Sequence, residues 1–204
     1  FVVKGVFSLR GSRDEIAAQV NKHSGQQLKL NGKSLSGRTE IIGRNNVVVL
    51  SPEEQPITKG PPVKRRQFID KMFSVSMVDY VNTLKKYSRV LKQRNAALLL
   101  VKENKSTVAE LKHWDEQLVD AGAKLWLMRV DLITQFKNNV KSMIQRYDSS
   151  IQFEIVYFDE APREETYRKQ VREALNTDLA LGRTTVGPHR DDALFVWDKR
   201  DLRN

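Results

Sequence analysis

The tetrapeptide Asn31-Gly32-Lys33-Ser34 holds the Gly-Lys-Ser of a phosphate-gripping loop, whose backbone N–H groups cradle a polyphosphate while the lysine offsets its charge. Such a loop needs another glycine five residues before Gly32, and position 27 is Gln. It must also lead from a strand into a helix whose N-terminus faces the phosphate. Here Asn31-Gly32 follows the strand-like Gln27–Leu30 and suits the positive φ angles of a type I′ turn, so the segment is read as a β-hairpin and its Gly-Lys-Ser as a decoy. A second group, His189 beside Asp191-Asp192, has the residue types to hold a divalent cation or to exchange protons. One cluster without convergent partners falls short of a metal site, so these acids are read as turn caps that pair with Arg190. Asp70, Glu53 and Glu54 are read as caps and surface charges. His23, His113 and His189 lack zinc-ligand spacing, there is no cysteine, and neither Gly-x-Ser-x-Gly nor His-Glu-x-x-His occurs, so no metal site and no catalytic residue are expected.

Charge is the stronger chemical signal. Thirty-five Lys and Arg against 25 Asp and Glu leave a formal net charge of +10, which favours polyanionic partners and nucleic acid ahead of a membrane surface. Nine basic residues fall between Pro62 and Ala96, against Asp70 and Asp79 alone. Lys64, Arg65, Arg66, Lys85, Arg89, Lys92 and Arg94 are the candidate DNA contacts, with Lys85, Arg89 and Lys92 sharing one helical face. The competing expectation is a solvated helix surface, or Arg65 and Arg66 paired to acidic groups in the β-rich base. Tyr80 and Tyr87 have helical spacing and are assigned to a core in preference to base stacking.

These residues need elements to carry them, and the pattern is α+β. Phe1–Leu9 is strand-like. Ser12-Arg13-Asp14-Glu15 has capping-box spacing and predicts a short helix through Ile16, Ala17 and Val20, ending near Ser24-Gly25. Asn46–Leu50 predicts a buried strand, Ser51-Pro52-Glu53-Glu54 a helical turn, and Gly60-Pro61-Pro62 a rigid joint. Beyond it, Met77, Val81, Leu84, Ser88 and Leu91 recur at helical steps. So do Leu111, Trp114, Leu118, Gly122, Leu125, Leu132, Phe136, Val140, Met143 and Tyr147, with Arg129 the one polar break. An unbroken helix from Thr107 to Asp148 would run roughly 60 Å, and the short polar link Lys102–Ser106 folds the two segments into an antiparallel hairpin. Ile151–Phe158 predicts a strand, Pro162 a helix through Tyr167, Val171 and Leu175 to a stop at Gly182, and Thr184–Val186 and Ala193–Trp197 two more strands, the latter followed by a hairpin-like turn at Asp198-Lys199-Arg200.

The longest apolar run, Ala96–Val101, is far short of the roughly 20 residues that span a bilayer. With no signal-peptide pattern and no cysteine, a cytoplasmic setting is expected. The chain starts at Phe1, inside what reads as a strand and without an initiator methionine, so a truncated chain is expected.

Five separated blocks then carry a resemblance. They are Val47–Glu54, Lys59–Asp70, Tyr87-Ser88-Arg89-Val90-Leu91-Lys92-Gln93-Arg94-Asn95, Trp114-Asp115-Glu116-Gln117-Leu118, and Thr184-Thr185-Val186-Gly187-Pro188-His189-Arg190-Asp191-Asp192. In type and order they resemble the RecF family of bacterial recombination and repair proteins, which are SMC-like ABC-type ATPases. The resemblance implies an antiparallel β-rich piece of an ATPase head (1–59), a helical, coiled-coil-like hairpin arm (60–182, with a strand at 151–158) and return strands to the head (183–204). It implies a DNA replication, recombination and repair role within the SOS response. ATP with Mg would drive a homodimer onto gapped or single-strand/double-strand junction DNA, and RecO and RecR would be partners in recombinase loading. In that family the phosphate loop precedes, and the signature and Walker B motifs follow, the stretch matched here. An internal fragment with no ATPase site and no cofactor of its own is therefore expected. Ser51, Pro52, Glu53 and Glu54 resemble the segment that couples nucleotide state to the arm, although no glutamine stands in it. Gly60, Asp70 and the Gly187–Asp192 block are family motif residues of unassigned role. The alternative is an arm that serves chiefly as a protein-interaction surface.

Overall fold

The computed structural model describes residues 1–9, 11–21, 25–44, 56–158 and 160–203. It divides into two compact units, Phe1–Val49 with Ser74–Val78, and Leu50–Phe73 with Asp79–Asn204. The predicted strand at Asn46–Leu50 and the Ser51-Pro52-Glu53-Glu54 turn lie outside the described residues.

The first unit holds an antiparallel meander, β1 (Val2–Leu9), β2 (Ser12–Asn21), β3 (Gly25–Leu30) and β4 (Lys33–Ser34), in sequence order. The helix predicted over the second of these is a strand. Ser12 was to accept the Glu15 N–H; instead the Asn31 side-chain carbonyl takes it at 2.7 Å, and the Glu15 carbonyl accepts the Asn31 N–H at 2.8 Å. β2 is paired with β1 from Ser12 to Gln19 and with β3 from Ile16 to Asn21, so both of its edges are satisfied by neighbours. Ile16, Ala17 and Val20 carry the helical reading; Ile16, Ala18 and Val20 fit a period of two, and strand pairing decides between the readings. The hairpin prediction holds: Asn31 (φ 50°) and Gly32 (φ 81°) turn β3 into β4, with Leu30 opposite Lys33.

The second unit is built on helices: α1 (Pro56–Lys59), α2 (Pro62–Ser76, whose last turn belongs to the first unit), α3 (Val78–Lys102) and α4 (Val108–Tyr147). The link after Lys102 folds α3 and α4 into the expected antiparallel hairpin, in which Lys86 meets Asp120 and Arg94 meets Asp115. Gly122 does not break α4. A Cβ there would lie 2.6 Å from the Tyr167 ring and 3.2 Å from that of Tyr87, so the missing side chain is what lets two aromatic rings lie against the helix. The predicted apolar seam is buried at Leu111, Leu118 and Leu125 and then fails, with Met143 and Tyr147 64% and 89% exposed. The cause is length: α4 has 40 residues and α3 only 25, so the far end of α4 outruns its partner.

Past α4, the strand β5 (Phe153–Val156) pairs with β6 (Leu194–Trp197), which turns through Asp198 (φ 46°) and Lys199 (φ 65°) into β7 (Arg200–Asp201). The single helix predicted after Pro162 is two, α5 (Glu164–Glu173) and α6 (Leu175–Leu181), closed by Gly182 in the left-handed conformation (φ 65°). Thr184–Val186 is not a strand. Its backbone donors go to side chains instead, Thr184 N–H to Asn95 Oδ1 and Thr185 N–H to Asp178 Oδ1, each at 2.8 Å. The core collects Ile69 and Phe73 from α2, Tyr80, Tyr87 and Val90 from α3, Leu118, Leu125, Trp126 and Ile133 from α4, Tyr167 and Val171 from α5, and Ile155 and Phe195 from the sheet.

Candidate nucleic-acid interface

The basic residues singled out in the sequence divide into two populations. Arg65 and Arg94 are 1% and 0% exposed, so neither presents its charge to a phosphate. Arg65, one helical turn into α2, grips Asp192 through Nε (2.7 Å) and Nη2 (2.8 Å) and donates to the Gly60 carbonyl at 2.6 Å. Arg94 on α3 donates to Asp115 (2.7 Å), to the fully buried Asp178 (2.6 Å) and to the Thr184 hydroxyl (2.8 Å). Arg66 is half-buried and donates to the Asp191 carbonyl at 2.5 Å. Planar guanidinium forks that satisfy two acceptors at once suit interior pairing; lysine ammonium does not.

The Gly187–Asp192 block is where these arginines converge. Gly187 (φ 130°) leads into a 3-10 turn, Pro188–Arg190, and a Cβ on it would collide with the Tyr87 and Tyr167 hydroxyls. His189 Nε2–H donates to the Thr184 carbonyl (3.1 Å), which leaves Nδ1 to accept from the Tyr87 hydroxyl (2.6 Å). Burial holds this imidazole neutral, pulling its pKa down to about 4. Asp191 does not pair with Arg190. Its Oδ2 accepts from Trp126 Nε1 (2.6 Å), Tyr157 Oη (2.7 Å) and Arg129 Nη1 (3.4 Å). Burial pushes this carboxyl up, and the bonds from Tyr157, Arg129 and Trp126 work against that. Nor is Asp70 a mere surface charge, since Arg129 Nη2 donates to both its oxygens, at 2.8 and 3.1 Å. Arg129, Trp126, Tyr157 and Asp178 were missed as site residues. The one available signal was Arg129, a cation placed in an apolar helical series. The block therefore works as an internal clamp on α2, α3, α4 and the last sheet.

The second population is exposed. Lys64 opens α2; Lys85, Arg89 and Lys92 run along one face of α3 at steps of four and three. Among the described residues no carboxylate pairs with Lys85, Arg89 or Lys92, whereas the neighbouring Lys86 is held by Asp120 at 2.6 Å. The stripe borders a groove of about 520 Å³ between α3 and α4 that reaches Trp114 and Gln117.

Gly32-Lys33-Ser34 lies in an exposed hairpin turn and does not open a helix, the next one being a 3-10 turn at Arg38–Ile41, and among the described residues no three His, Cys, Asp or Glu gather in a way that could hold a metal ion. No described helix is long and apolar enough to cross a membrane.

No protein-family model matches the chain. It is 31% identical to a "DNA replication and repair protein RecF" from a Thermoanaerobacter species, over all of this chain and 58% of that protein. Its counterpart in Heliobacterium modesticaldum is also 31% identical, over 86% of this chain and 49% of its own length. Among solved structures it superposes, with a TM-score of 0.87 and 29% identity, on the recombination mediator protein RecF–ATPrS of the RecFOR pathway, covering 99% of this chain and 57% of the other. A RecF–ATP structure gives the same TM-score at 28% identity. The chain thus spans about half the length of the proteins it resembles.

Proposed function

This chain belongs to the RecF family, and we propose on that footing that its helical unit is a DNA-gripping arm whose phosphate contact is the exposed stripe Lys85, Arg89 and Lys92, with the exposed Lys64 of α2 as a further contact. The observation that carries this is the sorting of cations. Arg65, Arg94 and Arg129 meet carboxylates in the interior, while three cations of one helix face are left without a counter-charge among the described residues. Unpaired cations in register on a helix release condensed counterions when they meet a phosphate backbone, and that release is the main source of affinity for nucleic acid. For the longer protein the reading extends to binding of ATP with Mg, a nucleotide-dependent homodimer on gapped or single-strand/double-strand junction DNA, and recombinase loading with RecO and RecR in the cytoplasm. Family membership and the likeness to RecF–ATP support that extension. Ser51, Pro52, Glu53 and Glu54 are the segment proposed to couple nucleotide state to the arm.

The test is charge reversal. Lys85→Glu/Arg89→Glu/Lys92→Glu should weaken binding to junction DNA by at least about tenfold at moderate salt, while Lys169→Glu, in an exposed i,i+4 pair with Glu173, should change it less than about twofold. Equal affinities for the two variants would refute the assignment. The protein-interaction reading has one observation behind it: the exposed Leu127, Met143 and Tyr147 of α4. Met143→Glu/Tyr147→Glu should loosen RecR or RecO retention and leave DNA affinity unchanged if that end of α4 serves partners.

A further inference from the structure

Resting on the DNA reading, we infer that the groove between α3 and α4 is a docking site for an unpaired nucleobase, so that the stripe grips single-stranded DNA by a base as well as by its phosphates. The groove measures about 520 Å³, within the range of small-ligand sites. Its lining joins three kinds of group. Trp114 and Val90 supply an apolar surface with an indole in it. Gln93, exposed on α3, offers an amide donor and acceptor, while the amide of Gln117 is engaged with His113 at 2.5 Å. Lys85 and Arg89 stand at the edge with no carboxylate partner among the described residues. Trp114 is held from behind, packed on the core and edge-on to His113 at a ring separation of 5.2 Å. A flat apolar surface, an amide and adjacent cations together match a base, its polar edge and its phosphate. An acidic peptide can meet the cations and the amide but brings no flat ring to the indole. A duplex keeps its bases stacked and meets the stripe alone, so the groove discriminates in favour of an unpaired nucleotide.

The experiment compares short oligo(dT) with a blunt duplex of equal length, using the full chain. Trp114→Ala should weaken oligo(dT) binding about tenfold and duplex binding less than twofold, and Gln93→Leu, which removes an amide at an exposed position, should weaken oligo(dT) alone by a few-fold. Trp114→Phe keeps a ring on the core and should restore most of the oligo(dT) affinity, while abolishing the quenching of tryptophan emission that oligo(dT) produces in the parent. Equal losses for both nucleic acids, no loss for either, or quenching that survives Trp114→Phe would overturn the base site. So would a poly-glutamate peptide that displaces oligo(dT) and quenches in its place. The two readings fail separately. If the stripe reversal leaves both nucleic acids bound, the DNA reading falls; if it releases both but Trp114 and Gln93 do not discriminate, only the base site falls.

Discussion

Individual arginines here are structural before they are functional, and that is the part the sequence conceals. Arg65, Arg94 and the lysines around them look alike as letters, and only the positions of Asp192, Asp115 and Asp178, far along the chain, decide which cation is drawn inside. Arg94→Met would leave the fully buried Asp178 with an uncompensated charge, and urea unfolding should show a loss of about 3–5 kcal/mol. His189 gives a pH signature. Its folded pKa of about 4 lies below the ordinary 6.5, so the native state binds fewer protons than the unfolded one between those values. The stability this confers is whole above pH 6.5 and drains away as the pH falls towards 4, on the order of 2–3 kcal/mol by pH 4.5. Asp191, with its carboxyl pushed up, acts in the opposite sense, so the His189 share is read as the difference between the parent and His189→Gln. The variant should show a flatter loss between pH 7.5 and 4.5; an identical pH profile would mean that His189 is charged in the fold.

At the scale of elements, the sequence was legible where local chemistry and partner agree. The Asn31-Gly32 turn, the α3–α4 hairpin and the Gly182 stop were read correctly because φ preferences and helical periodicity are local properties. β2 was misread because its capping-box letters are outvoted by two neighbouring strands, and the seam of α4 was over-extended because the end of α3 cannot be seen from α4. Gly122 separates propensity from packing. On propensity alone Gly122→Ala would stabilise α4 by about 1 kcal/mol. The Tyr167 ring 2.6 Å from the added Cβ predicts instead a loss of about 1–3 kcal/mol by denaturant unfolding. By contrast Lys33→Ala removes only an exposed hairpin side chain and should alter stability by less than about 0.5 kcal/mol, with no change in any response of the melting temperature to ATP.

For the whole molecule, a net charge of +10 pointed towards a polyanion, and the family blocks towards which one. The stripe itself was half legible: Lys85, Arg89 and Lys92 were picked out by helical spacing, but their lack of a counter-charge among the described residues is a property of the folded helix pair, as is the groove that brings Trp114 beside Lys85 and Arg89. The claim on which the rest stands is that these three charges meet phosphates. The dependence of duplex affinity on salt measures this most directly, because the slope of log affinity against log salt counts the contacts, at about 0.9 for each on duplex DNA. Between the parent and the Lys85→Glu/Arg89→Glu/Lys92→Glu variant the slope should fall by about 2 to 3. Parallel lines for the two proteins, offset or not, would mean that the stripe faces something other than DNA.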